Sequence, residues 1–212
     1  MCARYTLTVP DFGALARLLL VPVDPELERR YHPRYNIAPG TRQLVLRAAR
    51  RRAAPGATAA PEPARTLSVA SWGLIHGGAA DPETAMRHVN ARSEGARFKP
   101  AFRESFAERR CVIPADGFYE WTGPKGARRP IWFHPRAGGL LHLAGLYEGW
   151  RDPATGKGIW TFTILTTDSS DAVAPVHDRM PAILDPSEVD AWLGLAGAIT
   201  PEEAEALLRP AA

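Results

Sequence analysis

The stretch "CVIPADGFYEW" (residues 111–121) combines β-branched and aromatic side chains, and it reads as strand. The same composition recurs in "TLSVASWGLI" (66–75), "PIWFH" (130–134), "LLHLAGLYEGW" (140–150) and "IWTFTILTT" (159–167), each bounded by Gly, Pro or Asp. A core built mostly of sheet follows. Upstream, "RYTLTV" (4–9) alternates polar and apolar residues as a strand does, "DFGALARLLL" (11–20) puts Phe12, Leu15, Leu18 and Leu19 on one helical face, and "RQLVLRA" (42–48) is another strand. Residues 48–65, rich in Ala, Pro and Arg without periodicity, read as a surface loop. Residues 186–212 carry two helix starts. Asp185 caps Pro186 and Glu188, and Thr200 caps Pro201 and Glu203. Helices near both ends with strands between them indicate an α+β fold, and 212 residues at 45% hydrophobic composition suit one domain over 1–212.

Composition excludes several classes. The two cysteines, Cys2 and Cys111, lack CxxC spacing, so neither a disulfide framework nor a cysteine zinc site is expected, and no metal or cofactor is assigned. No apolar run approaches the roughly 20 residues of a spanning helix, and no signal peptide opens the chain. A cytoplasmic protein is expected. Phosphate-binding glycine loops, GxSxG elbows and HExxH helices are absent. The net charge of +3 is concentrated, because Arg87 to Arg110 holds seven basic residues, Lys99 among them, against three acidic ones. That segment is either a solvated face of ion pairs or an anion-binding surface.

Chemistry must therefore come from scattered residues. Removal of Met1 would leave Cys2 with a free α-amine beside its thiol, groups whose ordinary pKa values lie near ~7.7–8.0 and ~8.5. Such a 1,2-aminothiol condenses with an aldehyde to an imine, and the sulfur then closes a thiazolidine ring. The plain alternative is a small buried residue at a strand start. In "PRYNIAPG" (33–40), Asn36 precedes a Pro39-Gly40 turn and either shapes that turn or orients a substrate. "HVNARSE" (88–94) offers Asn90, Arg92 and Glu94 as a grip for a phosphate and a terminal amine, or as a capped helix start. Glu120, between Tyr119 and Trp121, would have a raised pKa if it faced inward and could then shuttle protons. A histidine can change charge near neutral pH, and His177 is followed by Asp178 and Arg179, which could pair with it or with each other.

The segments "MCARY", "YNIAPG", "WGLI", "VNARSE", "RRCVIPADGFYEW", "FTILTT" and "HDRMPAIL", in this order and at these spacings from Cys2 to about Leu184, resemble the SOS-response-associated peptidase (SRAP) family. The resemblance implies a single domain with a mostly antiparallel, curved β-sheet core and flanking helices. It also implies a DNA-damage function: trapping abasic (AP) sites in single-stranded DNA as a covalent thiazolidine cross-link through Cys2, after autoproteolytic loss of Met1. In the catalytic roles so implied, Asn90 positions Cys2, Glu120 is the acid/base and His177 helps open the sugar. Arg4, Asn36, Pro39, Arg92 and Thr166 resemble DNA-lining positions, and Trp72 and Lys99 join them as a stacking ring and a phosphate contact. The expected partner is single-stranded DNA bearing AP sites, bound by a monomer, with no membrane and no metal.

Two places depart from the family pattern. Ala3 replaces a glycine, which would displace Cys2 if positive φ were required there. His76 and Gly78 stand where the family carries an aromatic residue, so Trp72 is the candidate to compensate. Three other readings stay open: a class II glutamine amidotransferase, a peptidase acting on other proteins, and a non-covalent single-strand-binding module with Cys2 disabled.

Overall fold

A computed structural model describes residues 2–49 and 64–211. Its strands are β1 (Arg4–Leu7), β2 (Arg34–Ile37), β3 (Arg42–Ala49), β4 (Ala64–Trp72), β5 (Asn90–Arg92), β6 (Arg110–Ala115), β7 (Gly117–Thr122), β8 (Arg129–Phe133), β9 (Leu141–Arg151), β10 (Gly158–Asp168), β11 (Arg179–Pro181) and β12 (Ile183–Leu184). The helices are α1 (Phe12–Leu19), α2 (Pro25–Arg30), α3 (Ser93–Ala96), α4 (Arg103–Glu108), α5 (Val189–Leu193) and α6 (Pro201–Ala206). Strands β10, β4, β3, β6 and β9 pair in that order, and β9 pairs back onto β10, closing a barrel. Pairing is antiparallel except where β4 and β5 run parallel to β10. A second, four-stranded sheet runs β2-β1-β7-β8. This is the mostly antiparallel α+β architecture expected.

The stretch 111–121 is two strands. It leaves the barrel as β6 and enters the second sheet as β7, changing sheets at Asp116. The Asp116 carboxylate fastens that corner to β1 by accepting from the Thr6 and Thr8 hydroxyls and the Thr8 backbone N–H. Gly117 is required by close approach, since a Cβ there would lie 2.1 Å from Nε1 of Trp132. Between the sheets lies the core, where Cys2, Tyr5, Ile37, Leu46, Phe106, Ile113 and Phe162 are buried.

The helices follow their caps. Asp11 accepts from the Ala14 N–H and α1 buries Phe12, Leu15 and Leu19, while Leu18 faces solvent and Leu20 ends the helix in the left-handed region at φ 57°. Both C-terminal capping boxes form, but Asp185 opens a 3₁₀ turn at Pro186–Glu188 before α5, and Gly194 stops α5 in the left-handed region. At the edges of the expected loop, residues 48–49 and 64–65 belong to β3 and β4; residues 50–63 lie outside the described part. Among the described residues no helix is long and apolar enough to cross a membrane, and no group of three His, Cys, Asp or Glu could hold a metal ion.

Candidate active site

Cys2 enters β1, whose residues Arg4 and Tyr5 pair with Tyr119 and Phe118 of β7. Strand alternation in β7 turns Phe118 and Glu120 inward, each only 2% exposed, and leaves Tyr119 and Trp121 half-buried. The inward orientation is the one observed, and the Glu120 charge acts on the buried Cys2. Asn90 arrives from the other sheet. Strand β5 pairs with β10 through Asn90 and Ile164, and the Asn90 side-chain amide donates to the Cys2 carbonyl at 2.8 Å. His177 sits half-buried on the turn between β10 and β11, close enough for its charge to act on Glu120. The four residues expected to be catalytic therefore converge where the two sheets meet.

The electrostatics of the pocket follow from burial. Desolvation, reinforced by the Glu120 charge, pushes the Cys2 thiol up to about 12, so thiolate is scarce at neutral pH. Desolvation also raises the Glu120 carboxyl above its ordinary 4.5, against the opposing field of His177. A carboxyl raised in this way keeps its proton to higher pH than an exposed one, which suits a proton-transfer role.

His177 Nδ1 lies 2.9 Å from the backbone N–H of Arg179 and also 2.9 Å from Oδ1 of Asp178. The backbone N–H can only donate, so in the neutral ring Nδ1 accepts and the proton resides on Nε2. The Asp178 contact becomes a hydrogen bond only when Nδ1 itself carries a proton.

Arg179 itself was expected to pair with its sequence neighbours. Its guanidinium instead makes a two-pronged pair with Glu94, both contacts at 2.8 Å, and reaches Asp168 and the Thr166 carbonyl at 2.6 Å. Glu94 is consequently unavailable for a terminal amine. Burial acts to raise its carboxyl, but the hydrogen bonds and charge of Arg179 hold it below the ordinary value.

The DNA-lining candidates divide. Arg4 donates to the Ala3 carbonyl at 2.7 Å beside the pocket; Asn36, Arg92 and Lys99 are exposed, and Pro39 is half-buried. Thr166 is fully buried, with its hydroxyl 3.5 Å from the Ala91 carbonyl. Trp72 is a core residue: it is 1% exposed, packs against Tyr5 and Phe162, and donates from Nε1 to the Val89 carbonyl at 2.7 Å. It cannot stack on a base, yet it holds the backbone next to Asn90. The basic segment is likewise mixed. Arg97 pairs with Glu202 and Glu205, Arg109 with Glu104, Glu108 and Glu148, and Arg110 donates to the carbonyls of Trp192, Phe106 and Ala107. Arg87, Arg92, Lys99 and Arg103 remain exposed. Ala3 is accommodated, since Leu20 is the one non-glycine residue with positive φ among those described.

The family model for SOS response associated peptidase (SRAP) matches residues 1–212. Abasic site processing protein YoqW of Bacillus subtilis (strain 168) is 34% identical over 212 residues, covering 99% of this chain and 87% of that protein. Abasic site processing protein HMCES of Gallus gallus is 34% identical over 207 residues, covering 87% of this chain and 60% of that protein. Among solved structures, a crystal structure of a Bacteroides thetaiotaomicron protein superposes with a TM-score of 0.81 at 25% identity, covering 99% of this chain and 87% of that one.

Proposed function

The chain belongs to the SOS response associated peptidase family, and from that premise we propose that it senses abasic sites in single-stranded DNA and shields them as a covalent cross-link through Cys2. The observation that carries this reading is the hydrogen bond from Asn90 to the Cys2 carbonyl, which fixes Cys2 beside Glu120 and within the field that joins Glu120 to His177. The names of YoqW and HMCES support abasic DNA as the substrate.

The chemistry begins with hydrolysis of the Met1–Cys2 peptide bond, water supplying the hydroxyl to Met1 and a proton to the new Cys2 amine. The Nε2–H of His177 donates to the ring oxygen of the closed sugar while the anomeric hydroxyl loses its proton, giving the open aldehyde. The amine adds to that carbonyl carbon. Glu120 in its protonated form assists loss of water to the imine, and as carboxylate it takes the thiol proton as sulfur bonds to the same carbon. The imine nitrogen gains that proton, the thiazolidine ring closes, and one water is lost overall. A thiol whose pKa stands near 12 needs such a base. The protein would act in the cytoplasm, on DNA.

The test is a denaturing gel of protein incubated with a single-stranded oligonucleotide carrying one AP site, beside Cys2→Ala, with intact mass verifying Met1 removal. A heat-stable shifted band absent from Cys2→Ala is expected. Retained binding of the strand without that band, from correctly processed protein, would replace the covalent reading with a non-covalent single-strand-binding module.

A further inference from the structure

A cavity of about 200 Å³ opens at the far end of β1 from Cys2, between α2, the β2 edge and the start of β3. Its floor is apolar, formed by Leu7, Leu44 and Val69, and its rim carries Arg30, Arg34 and Arg42 with no carboxylate in the lining. Arg30 is partly neutralised by Glu26 at 3.4 Å. Arg34 and Arg42 have no ion pair or side-chain hydrogen bond among the described residues, whereas the arginines at 97, 109, 110 and 179 are all engaged. Two free guanidiniums beside an apolar floor suit a ligand that is anionic at one end and flat and apolar at the other. A nucleotide within a strand has that chemistry.

The position of the cavity connects it to the Cys2 pocket. Leu7 is five residues along extended chain from Cys2, roughly 16 Å at ~3.3 Å per residue. Strand β2 runs beside that path as an edge strand, pairing Ile37 with Tyr5 and Arg34 with Leu7, and it exposes Tyr35 (69%) and Asn36 to solvent. A strand leaving the pocket along β2 would pass Pro39, Asn36 and Tyr35 before reaching Arg34.

We propose that this arginine-rimmed cavity is a second nucleotide subsite, which holds a phosphate on Arg34 and Arg42 and a base against the Leu7–Leu44–Val69 floor, at most about five nucleotides from the lesion at the ~3.4 Å rise of a stacked strand. This rests on the DNA reading given above. It assigns the cavity a binding role and no part in the bond-making steps.

The experiment compares wild type with Arg34→Ala/Arg42→Ala, using single strands that carry a tetrahydrofuran abasic analogue. One set extends about eight nucleotides to each side of the analogue and the other about two. A phosphate contact carries roughly half a decade of affinity between 50 and 200 mM salt, so losing the one phosphate held by both arginines should weaken binding of the long strand about threefold at low salt and lower the salt slope by about 0.7. On the short strand it should match wild type, and its cross-linking rate at saturating AP-site DNA should be unchanged. Equal affinity of both proteins for the long strand would overturn the subsite, as would equal losses on long and short strands. Displacement of the long strand by a free mononucleotide as effectively as by the unlabelled strand would also overturn it, making the cavity a nucleotide site. Because binding is read with an unreactive analogue, absence of any Cys2 adduct would sink the covalent reading while leaving the subsite standing.

Discussion

The backbone N–H of Arg179 donates to Nδ1 of His177 at 2.9 Å, while the Arg179 side chain is clamped by Glu94 and Asp168. One residue therefore fixes both the tautomer of the candidate proton donor and the turn that carries it. The clamp joins α3 to β11 across the end of β10, so His177 is held by elements remote in sequence.

Arg179 and Glu94 act as positioning residues under this geometry. Glu94→Gln keeps the shape of the clamp and removes its charge. It should slow cross-linking of closed-ring AP sites between about threefold and tenfold, a fraction of the ~10²–10⁴ a general acid supplies. With an open-chain aldehyde the rate should stay near wild type, and the pH midpoint of the reaction should move. Equal slowing on both substrates, with only a lower Tm, would reduce the clamp to a structural support. The lowered Glu94 pKa also sets a sign: the clamp contributes stability above pH 4.5 and loses it as pH falls through the lower folded value.

Glu120 carries the opposite sign. Its folded pKa is raised above 4.5, so the native state holds its proton more tightly than the unfolded chain, and stability declines as pH rises from 4.5 through the raised value. Glu120→Gln removes the charge from the buried site. The variant should melt higher than wild type at pH 7, with the gap closing near pH 4, while cross-linking slows at least about tenfold and DNA affinity holds. A Tm difference independent of pH would show that burial does not raise the pKa of the Glu120 carboxyl.

Trp72 should report on stability through the core and leave base stacking untouched. Trp72→Phe keeps the ring contacts with Tyr5 and Phe162 but loses the hydrogen bond to Val89, costing about 1–3 kcal/mol. Chemical denaturation measures that loss. Affinity for single strands should stay within about twofold, since a stacking ring would contribute ~1–3 kcal/mol per base. A drop of tenfold or more in affinity with unchanged stability would return Trp72 to the DNA surface.

Much of this was legible in the sequence because the signals were local. Alternation marked β1, β-branched and aromatic composition marked β6 and β7, Asp and Thr caps followed by Pro and Glu marked the C-terminal helix starts, and an aromatic strand carrying one carboxylate marked Glu120. What was hidden depended on contacts between distant segments. The break at Asp116 is invisible in "CVIPADGFYEW", because its cause is Thr6 and Thr8 more than a hundred residues away. Strand β5 is three residues long and exists through pairing with β10, so "HVNARSE" carries no strand period. Arginine 179 gave a sequence signal only as a neighbour of His177, and its partner Glu94 lies 85 residues upstream. Composition found the positive charge at 87–110 but could not see that carboxylates of α4, α6 and β9 neutralise Arg97 and Arg109.

The order of bond formation at Cys2 is open to a direct test. With its thiol pushed up to about 12, sulfur is a poor first nucleophile at neutral pH, whereas a terminal amine with a pKa near ~7.7–8.0 is partly unprotonated. Amine attack should therefore come first and sulfur should close the ring afterwards. Cys2→Ser keeps the amine, and its hydroxyl is a weaker closing nucleophile. Given processed protein, this variant should form an imine with AP-site DNA that vanishes on heating but survives when borohydride reduces it to an amine. The wild-type adduct should resist heat without reduction, and blocking the α-amine should abolish both species. If amine-blocked protein still forms a heat-stable adduct, sulfur acts alone and the imine route is wrong. If Cys2→Ser yields nothing even with borohydride, the thiol is needed before the imine, and Glu120 would then have to deprotonate it at the first step.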